Sequence, residues 1–290
     1  MPPLVSWPSS LVDRIVADRW VLFIGSGVSA SCKNNAGNNP PTWGELLVNL
    51  CALITNAFQR RVGEKLIMSR DYLSAADHIR YSLAEEGNLA LYHQAIRTAV
   101  EGPTTDRFTP SKLFDHLLSL EPKVVFTTNY DKLFDTASKQ GFRTHPFTSV
   151  NLGAELRSGE PVFVNLHGST DAIHDIVLTR TDYVRVTRTG REVFDALRGL
   201  ALTSTILFVG YSLDDPDIQL VLQAVGRPGL APEAHFMLAP RPQSASRIQV
   251  FKESFGVTVL TYTGANARAS KAIKELSEQV LEARATAAGP

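Results

Sequence analysis

Short apolar runs alternate with helical patterns along most of the chain. The runs are rich in β-branched and aromatic residues and cover residues 20–25, 123–129, 161–168, 204–212, 234–239 and 256–262. Their nearly continuous hydrophobicity is typical of strands that are buried on both faces of a parallel sheet. Helical patterns at residues 181–202, 215–226, 244–253 and 268–286 predict the crossovers that parallel strands require. We therefore expect an α/β fold with a Rossmann-like, doubly wound parallel sheet.

One stretch of the chain departs from this alternation. Residues 43–121 carry three successive segments with helical spacing and no convincing strand, which predicts a helical insertion. We expect a single domain whose core comprises residues 1–42 and 122–290.

Composition and charge exclude several classes of protein. The 290 residues are 44% hydrophobic and carry 29 basic and 29 acidic side chains, so strong binding to nucleic acid or anionic membranes is not expected.

The first residues contain prolines where a signal peptide needs an apolar stretch, and no later run is long enough to span a bilayer, so we expect a cytoplasmic protein. Cys32 and Cys51 have no zinc-binding spacing, and no ligand stands at helical spacing beside His145, His167 or His174, so no metal site is predicted.

The first apolar run ends in a glycine-rich turn, Gly25-Ser26-Gly27. Such a turn between a strand and a helix lets the backbone approach a pyrophosphate, although the same glycines can simply make a tight turn. Ala30 replaces the third glycine of the dinucleotide motif, and no second strand ends in an acidic residue about 20 positions further on. These two departures argue against a nicotinamide-dependent dehydrogenase.

Polar residues follow the second and third runs at their predicted carboxyl ends, where open α/β sheets bind ligands. Asn129 and Asp131 follow the second run, and either can face a ligand or cap the next helix. His167, next to Gly168, ends the third run, and an imidazole with an ordinary pKa near 6.5 suits a general base.

A second glycine and serine turn, Gly210-Tyr211-Ser212, follows the fourth run. Asp214 and Asp215 come shortly after it and can cap a helix that starts at Pro216.

Four segments, GSGVS, TTNYD, LHG and VGYS, occur in this order on alternating predicted strands. Together they resemble the motif series of the sirtuins, and most closely the bacterial Sir2-like branch of antiphage defence systems, whose members cleave NAD+. The resemblance implies that the substrate NAD+ is held by Gly25, Ser26, Gly27, Ser29, Thr128, Asp131, Gly168, Gly210 and Ser212. It further implies that Asn129 and His167 are catalytic. The resemblance implies that the glycine loop holds the pyrophosphate and that Asn129 and Asp131 lie by the nicotinamide ribose and carboxamide. It also implies that Gly210 and Ser212 contact the adenosine half.

The chain lacks the paired cysteines that follow LHG in sirtuin deacetylases, so we expect neither the zinc module nor a zinc cofactor. Neutral nicotinamide needs no protonation on leaving, so Asn129 would orient the ribose and a water molecule while His167 accepts a proton. The expected activity is NAD+ glycohydrolysis, with protein deacylation, ADP-ribosyl transfer or non-catalytic nucleotide sensing as alternatives.

The resemblance also implies control by assembly. We expect a homo-oligomer that is regulated by a separate protein such as a HerA-like ATPase. The insertion would supply contacts through apolar residues that include Leu46, Leu50, Leu53, Phe58, Leu89 and Tyr92, although these residues can also pack the insertion itself.

Overall fold

The computed structural model describes residues 3–212, 216–225, 234–264 and 267–287. Within these residues, seven parallel strands form one sheet. In chain order, β1 to β7 are Trp20–Ile24, Val124–Thr127, Arg143–Pro146, Val162–Asn165, Thr205–Val209, His235–Pro240 and Val257–Tyr262. Their order across the sheet is β3-β4-β2-β1-β5-β6-β7. The predicted Rossmann-like α/β fold is therefore confirmed.

The described residues form the following helices. In chain order, α1 to α14 are Ser9–Val16, Ser26–Ser29, Trp43–Cys51, Ala57–Met68, Tyr72–Glu85, Leu89–Glu101, Lys112–Leu118, Leu133–Ala137, Leu152–Ser158, Arg180–Thr189, Arg191–Thr203, Pro216–Val225, Ala245–Phe255 and Ala267–Ala287. A 3-10 helix spans Thr170–Asp175. None of the helices in the described part of the chain is long and apolar enough to cross a membrane.

Helices cover both faces of the sheet and bury β1 completely. Leu22 of β1 points into a core that α1, α7 and α14 complete, whereas the adjacent Phe23 points into the opposite core against α11 and α13. All five residues of β1 are buried, which explains why its sequence is apolar without interruption.

The six apolar runs all contain strands, but the sheet has one strand that the pattern did not predict. This strand, β3, lies at the sheet edge, is mostly exposed, and pairs only with β4 among the described residues. The single helix predicted at residues 181–202 is also wrong, because Gly190 separates α10 from α11. A Cβ atom at this glycine would lie 2.9 Å from the carbonyl oxygen of Val186 and 3.3 Å from that of Phe147. The predicted caps Asp214 and Asp215 lie outside the described residues.

The stretch predicted as an insertion contains five helices, α3 to α7, and none of the seven strands. Helices α3, α5 and α6 share their own apolar cluster, which also takes Ile176 and Leu178 from the segment after β4. Leu46, Leu50 and Tyr92 are buried in this cluster, whereas Phe58 and Leu89 are exposed. Helix α7 instead joins the core beside α14. The proposed division into a core and an insertion remains a prediction.

Candidate functional site

The loops after β1, β2, β4 and β5 meet at the carboxyl edge of the sheet. These four strands are neighbours in the order β4-β2-β1-β5. The chain adds β2 and β4 on one side of β1 and β5 on the other, so the strand order reverses beside β1. In open α/β sheets, a crevice forms at such a switch point. Ser26, Asn129, His167 and Tyr211, one residue from each loop, line a common cavity there.

Two adjoining cavities make up the crevice. The first has a volume of about 150 Å³ and the second of about 420 Å³. Ser26, Thr42, Tyr211 and Ser212 border both cavities, so the two cavities adjoin along these residues.

The structure brings most of the predicted site residues to this crevice. Ser26, Ser29, Thr128, Asn129, Asp131, His167 and Ser212 line the first cavity. Gly27 and Gly210 line the second, again with Ser26 and Ser212. Gly25 and Gly168 line neither of the two cavities. Gly25 instead allows two loops to pack closely, and Gly168 allows a turn with a positive φ.

The first glycine loop packs directly on the loop after β5. The Gly25 N–H donates to the Val209 carbonyl oxygen at 3.0 Å, and the Gly27 N–H donates to the Gly210 carbonyl oxygen at 2.8 Å. A Cβ atom at Gly25 would lie 2.4 Å from the same Gly210 oxygen. Both glycines are therefore required for loop packing, and their N–H groups are already used within the protein.

Asn129, Ser29 and Asp131 form a hydrogen-bonded series in the wall of the first cavity. Asn129 Nδ2 donates to Ser29 Oγ at 2.9 Å, and Ser29 Oγ donates to Asp131 Oδ2 at 2.7 Å. Asp131 Oδ1 also accepts from the N–H of Leu133, the first residue of α8, at 3.0 Å. Asp131 thus accepts the first N–H of this helix and also holds the first loop. Burial raises the pKa of its carboxyl group, against the hydrogen bonds from Ser29 and Leu133.

His167 is buried in the turn that follows β4, with 2% of its surface exposed. Its carbonyl oxygen accepts from the Val177 N–H at 3.0 Å, and its ring makes a T-shaped contact with the Tyr183 ring, with centroids 5.2 Å apart. Gly168 has a φ of +78°, and a Cβ atom there would lie 2.8 Å from the Asp175 carbonyl oxygen. This glycine therefore turns the chain sharply and presents the preceding histidine to the cavity.

Several residues of the crevice were missed by the sequence interpretation. The first cavity is also lined by Pro40, Pro41, Thr42, Trp43, Leu46, Val100, Tyr130, Tyr183 and Tyr211. Tyr211 lies inside the VGYS segment and could have been included for that reason. Tyr183 carries no comparable signal, because only the packing of α10 brings it to His167.

The structure offers no obvious metal centre within the residues it describes. No group of three or more histidine, cysteine, aspartate or glutamate side chains is placed to hold a metal ion in those ranges. Cys32 and Cys51 are both buried free thiols. Burial raises the pKa of each thiol, which disfavours the thiolate that zinc binding requires.

The comparisons with known proteins agree with the motif series. Residues 123–260 match the family model described as a SIR2-like domain. The matched residues include three of the four segments, TTNYD, LHG and VGYS, so the match supports the family that these segments predict.

Curated relatives match at modest identity. The protein "NAD(+) hydrolase ThsA" of Enterococcus faecium is 30% identical over 38% of this chain and 23% of its own length. A protein of the same name from Bacillus cereus strain MSX-D12 is 23% identical over 78% of this chain and 44% of its own. "Defense-associated sirtuin 2" of Bacillus subtilis is 27% identical over 44% and 13%, respectively. The chain thus spans less than half the length of these relatives.

Among solved structures, a crystal structure of a Sir2 homologue in complex with NAD aligns with 96% of this chain and 96% of its own. The TM-score is 0.47 and the sequence identity is 15%.

Proposed function

We propose that this chain is an NAD+ glycohydrolase that cleaves NAD+ to nicotinamide and ADP-ribose. The observation that carries the proposal is the shared cavity of Asn129 and His167, which adjoins a second, larger cavity at Ser26 and Ser212. An elongated crevice with polar groups at one end suits a dinucleotide whose reactive bond lies at that end.

The two cavities suggest how NAD+ would lie. The nicotinamide ribose would occupy the first cavity, beside Thr128 and Asn129. The adenosine half would occupy the second, near Gly210 and Ser212, where the Arg247 side chain also lies. The pyrophosphate would cross between the cavities at the exposed Ser26, because the N–H groups of the two neighbouring glycines are already bonded.

The side chains fit the chemistry of glycosidic cleavage. Departure of neutral nicotinamide leaves an oxocarbenium-like ribose, so the protein must mainly position the ribose and a water molecule. The Asn129 amide would orient these groups, and His167 would accept a proton from the water or a ribose hydroxyl. Water attack at the anomeric carbon then gives ADP-ribose, and nicotinamide leaves with the bond electrons.

The names of the relatives support the activity and suggest its setting. Two of them are named NAD(+) hydrolase, and a third is named as a defence-associated sirtuin. We propose that the chain depletes NAD+ as an effector of antiphage defence.

The reaction can be tested by chromatography of NAD+ after incubation with the purified protein. We expect His167→Ala and Asn129→Ala each to lower the rate of cleavage about a hundredfold or more, the usual scale for a general base and an orienting group. Matched controls are His145→Ala and the exposed Asn151→Ala, because neither residue lines the crevice.

NAD+ that is labelled in its ADP-ribose part separates the alternative reactions. Label in free ADP-ribose supports hydrolysis, whereas label on protein or on an acyl group indicates transfer. Binding of NAD+ without consumption indicates a sensor. A His167→Ala protein with the parent rate would remove this histidine from the mechanism.

A further inference from the structure

The series Asn129, Ser29 and Asp131 connects the loop after β2 with the loop after β1. Ser29 is 3% exposed and Asp131 is 9% exposed, whereas Asn129 is only half-buried and borders the first cavity. The two buried residues therefore support the asparagine that we propose as catalytic, and they border the same cavity.

The chemistry of the groups gives the series one direction. An amide nitrogen can only donate, a hydroxyl has a single proton to give, and a carboxylate can only accept. The single proton of Ser29 is given to Asp131 Oδ2, so Ser29 Oγ offers only lone pairs to Asn129. The amide group of Asn129 must then turn its Nδ2 toward Ser29, and its Oδ1 is directed elsewhere.

The backbone of Asn129 is held in the same region. Its N–H donates to Thr127 Oγ1 at 3.0 Å, and the Thr127 hydroxyl donates to the Ile24 carbonyl oxygen at 2.9 Å. The backbone position is thus fixed from β1, and only the rotation of the amide group is left for Ser29 to determine.

We propose that Ser29 and Asp131 are positioning residues that hold the Asn129 amide in its reactive orientation. This assignment rests on the proposed function. It adds a role to the motif resemblance, which implies only that both residues bind NAD+. The basis for the added role is that Ser29 Oγ joins the Asn129 amide to Asp131, and that Asp131 is itself anchored by the Leu133 N–H.

Two variants test the series at different points. Ser29→Ala removes the hydroxyl. Asp131→Asn keeps an oxygen for the Leu133 N–H but can place an NH2 group against Ser29, which leaves the Ser29 proton without its acceptor. The matched control is Ser31→Ala, because Ser31 Oγ lies in the same segment but contacts Val28 and Ser111 and no member of the series.

Steady-state kinetics and binding then separate positioning from ligation. We expect Ser29→Ala and Asp131→Asn each to lower kcat at least about tenfold, an orientation effect. The KM for NAD+ and the affinity for ADP-ribose should stay within about twofold of the parent values. Ser31→Ala should match the parent in all three quantities. Weaker ADP-ribose binding as the main effect, or an unchanged kcat, would overturn the proposal, as would loss of folding in both test variants.

A measurement on the free protein distinguishes this inference from the proposed function. The side-chain amide protons of Asn129, identified by NMR from the signal lost in Asn129→Asp, should exchange with water faster in Ser29→Ala than in the parent or Ser31→Ala. If the parent does not cleave NAD+, the proposed function fails, and the exchange rates still decide whether Ser29 holds the amide. If the parent cleaves NAD+ and exchange in Ser29→Ala is unchanged, the function stands and the positioning role is refuted.

Discussion

Gly210 lies where the loops after β1 and β5 pack backbone against backbone. It has a φ of +64°, and a Cβ atom there would lie 2.4 Å from the Val28 nitrogen. We expect Gly210→Ala to lower the free energy of unfolding by more than about 2 kcal/mol, because left-handed backbone strain adds to a contact that only backbone movement can relieve. Unfolding in urea, followed by circular dichroism, measures this change.

Gly199 provides the matched control for this substitution. It lies within α11, and a Cβ atom there would meet nothing within 4 Å. Gly199→Ala should therefore stabilise the protein by about 0.5 to 1 kcal/mol through helix propensity. Equal unfolding midpoints for Gly210→Ala and the parent would show that the loops can separate at no cost.

Individual residues of the candidate site were predictable from sequence only where they directly follow a strand, because the strand then places them at the edge of the sheet. Asn129 and His167 directly follow buried strands, and parallel strands bring their carboxyl ends to one edge of a sheet. The contact between Ser29 and Asp131 joins two loops that are distant in sequence, so no local pattern indicates it. Tyr183 likewise reaches the crevice only through the packing of its helix.

At the scale of elements, burial decided which strands could be predicted from sequence. Strand β1 is buried throughout and reads as an apolar run, whereas the edge strand β3 consists of Arg143, Thr144, His145 and Pro146 and is mostly exposed. An edge strand needs no apolar face on its open side, and proline is tolerated there because one N–H can be spared. The sheet therefore contains an edge that hydrophobic patterning does not detect.

His235 at the start of β6 makes this strand sensitive to acid. Its Nδ1 accepts from the Ile206 N–H at 3.1 Å, and burial lowers its pKa from 6.5 to about 4. The unfolded chain takes up a proton near pH 6.5, but the folded protein does so only near pH 4, so stability falls as the pH decreases through this interval. We expect this one group to cost about 3 kcal/mol of unfolding free energy across the interval.

The variant His235→Asn isolates this contribution. Asparagine does not titrate, and its side-chain oxygen can accept from the same backbone N–H. Urea unfolding of both proteins at pH 7 and pH 4.5 should show a smaller loss of stability in the variant. If the two proteins lose stability in parallel, protonation of His235 does not weaken the fold.

At the scale of the whole molecule, stability should not depend on a metal ion. The structure places no cluster of metal-binding side chains among the residues it describes, and the proposed cleavage requires none. We expect a strong chelator such as EDTA to leave both the thermal midpoint and the rate of NAD+ cleavage unchanged. Elemental analysis that finds one zinc ion per chain would contradict this prediction.

Large apolar side chains remain exposed on the helices that lie between β1 and β2. Phe58 is 72% exposed, Met68 is 84% exposed and Tyr81 is 64% exposed. Exposed apolar groups are common when they are isolated, but they are also the groups that protein interfaces use. The first two lie on α4, which makes this helix the best place to test the assembly proposed for the chain.

We expect a homo-oligomer that cleaves NAD+ slowly by itself. A partner such as a HerA-like ATPase should raise the rate at least about tenfold, which lowers the activation free energy by about 1.4 kcal/mol. Phe58→Glu and Met68→Glu should weaken the oligomer or abolish this stimulation without unfolding the protein, because a charge on an exposed side chain is costly only when a contact buries it. Leu202→Glu is the matched control, since Leu202 is 70% exposed on α11, away from α4 in the chain. Sedimentation velocity and NAD+ assays with and without the partner measure both effects. A monomer that is fully active alone would refute control by assembly, and equal effects of all three substitutions would remove α4 as the contact surface.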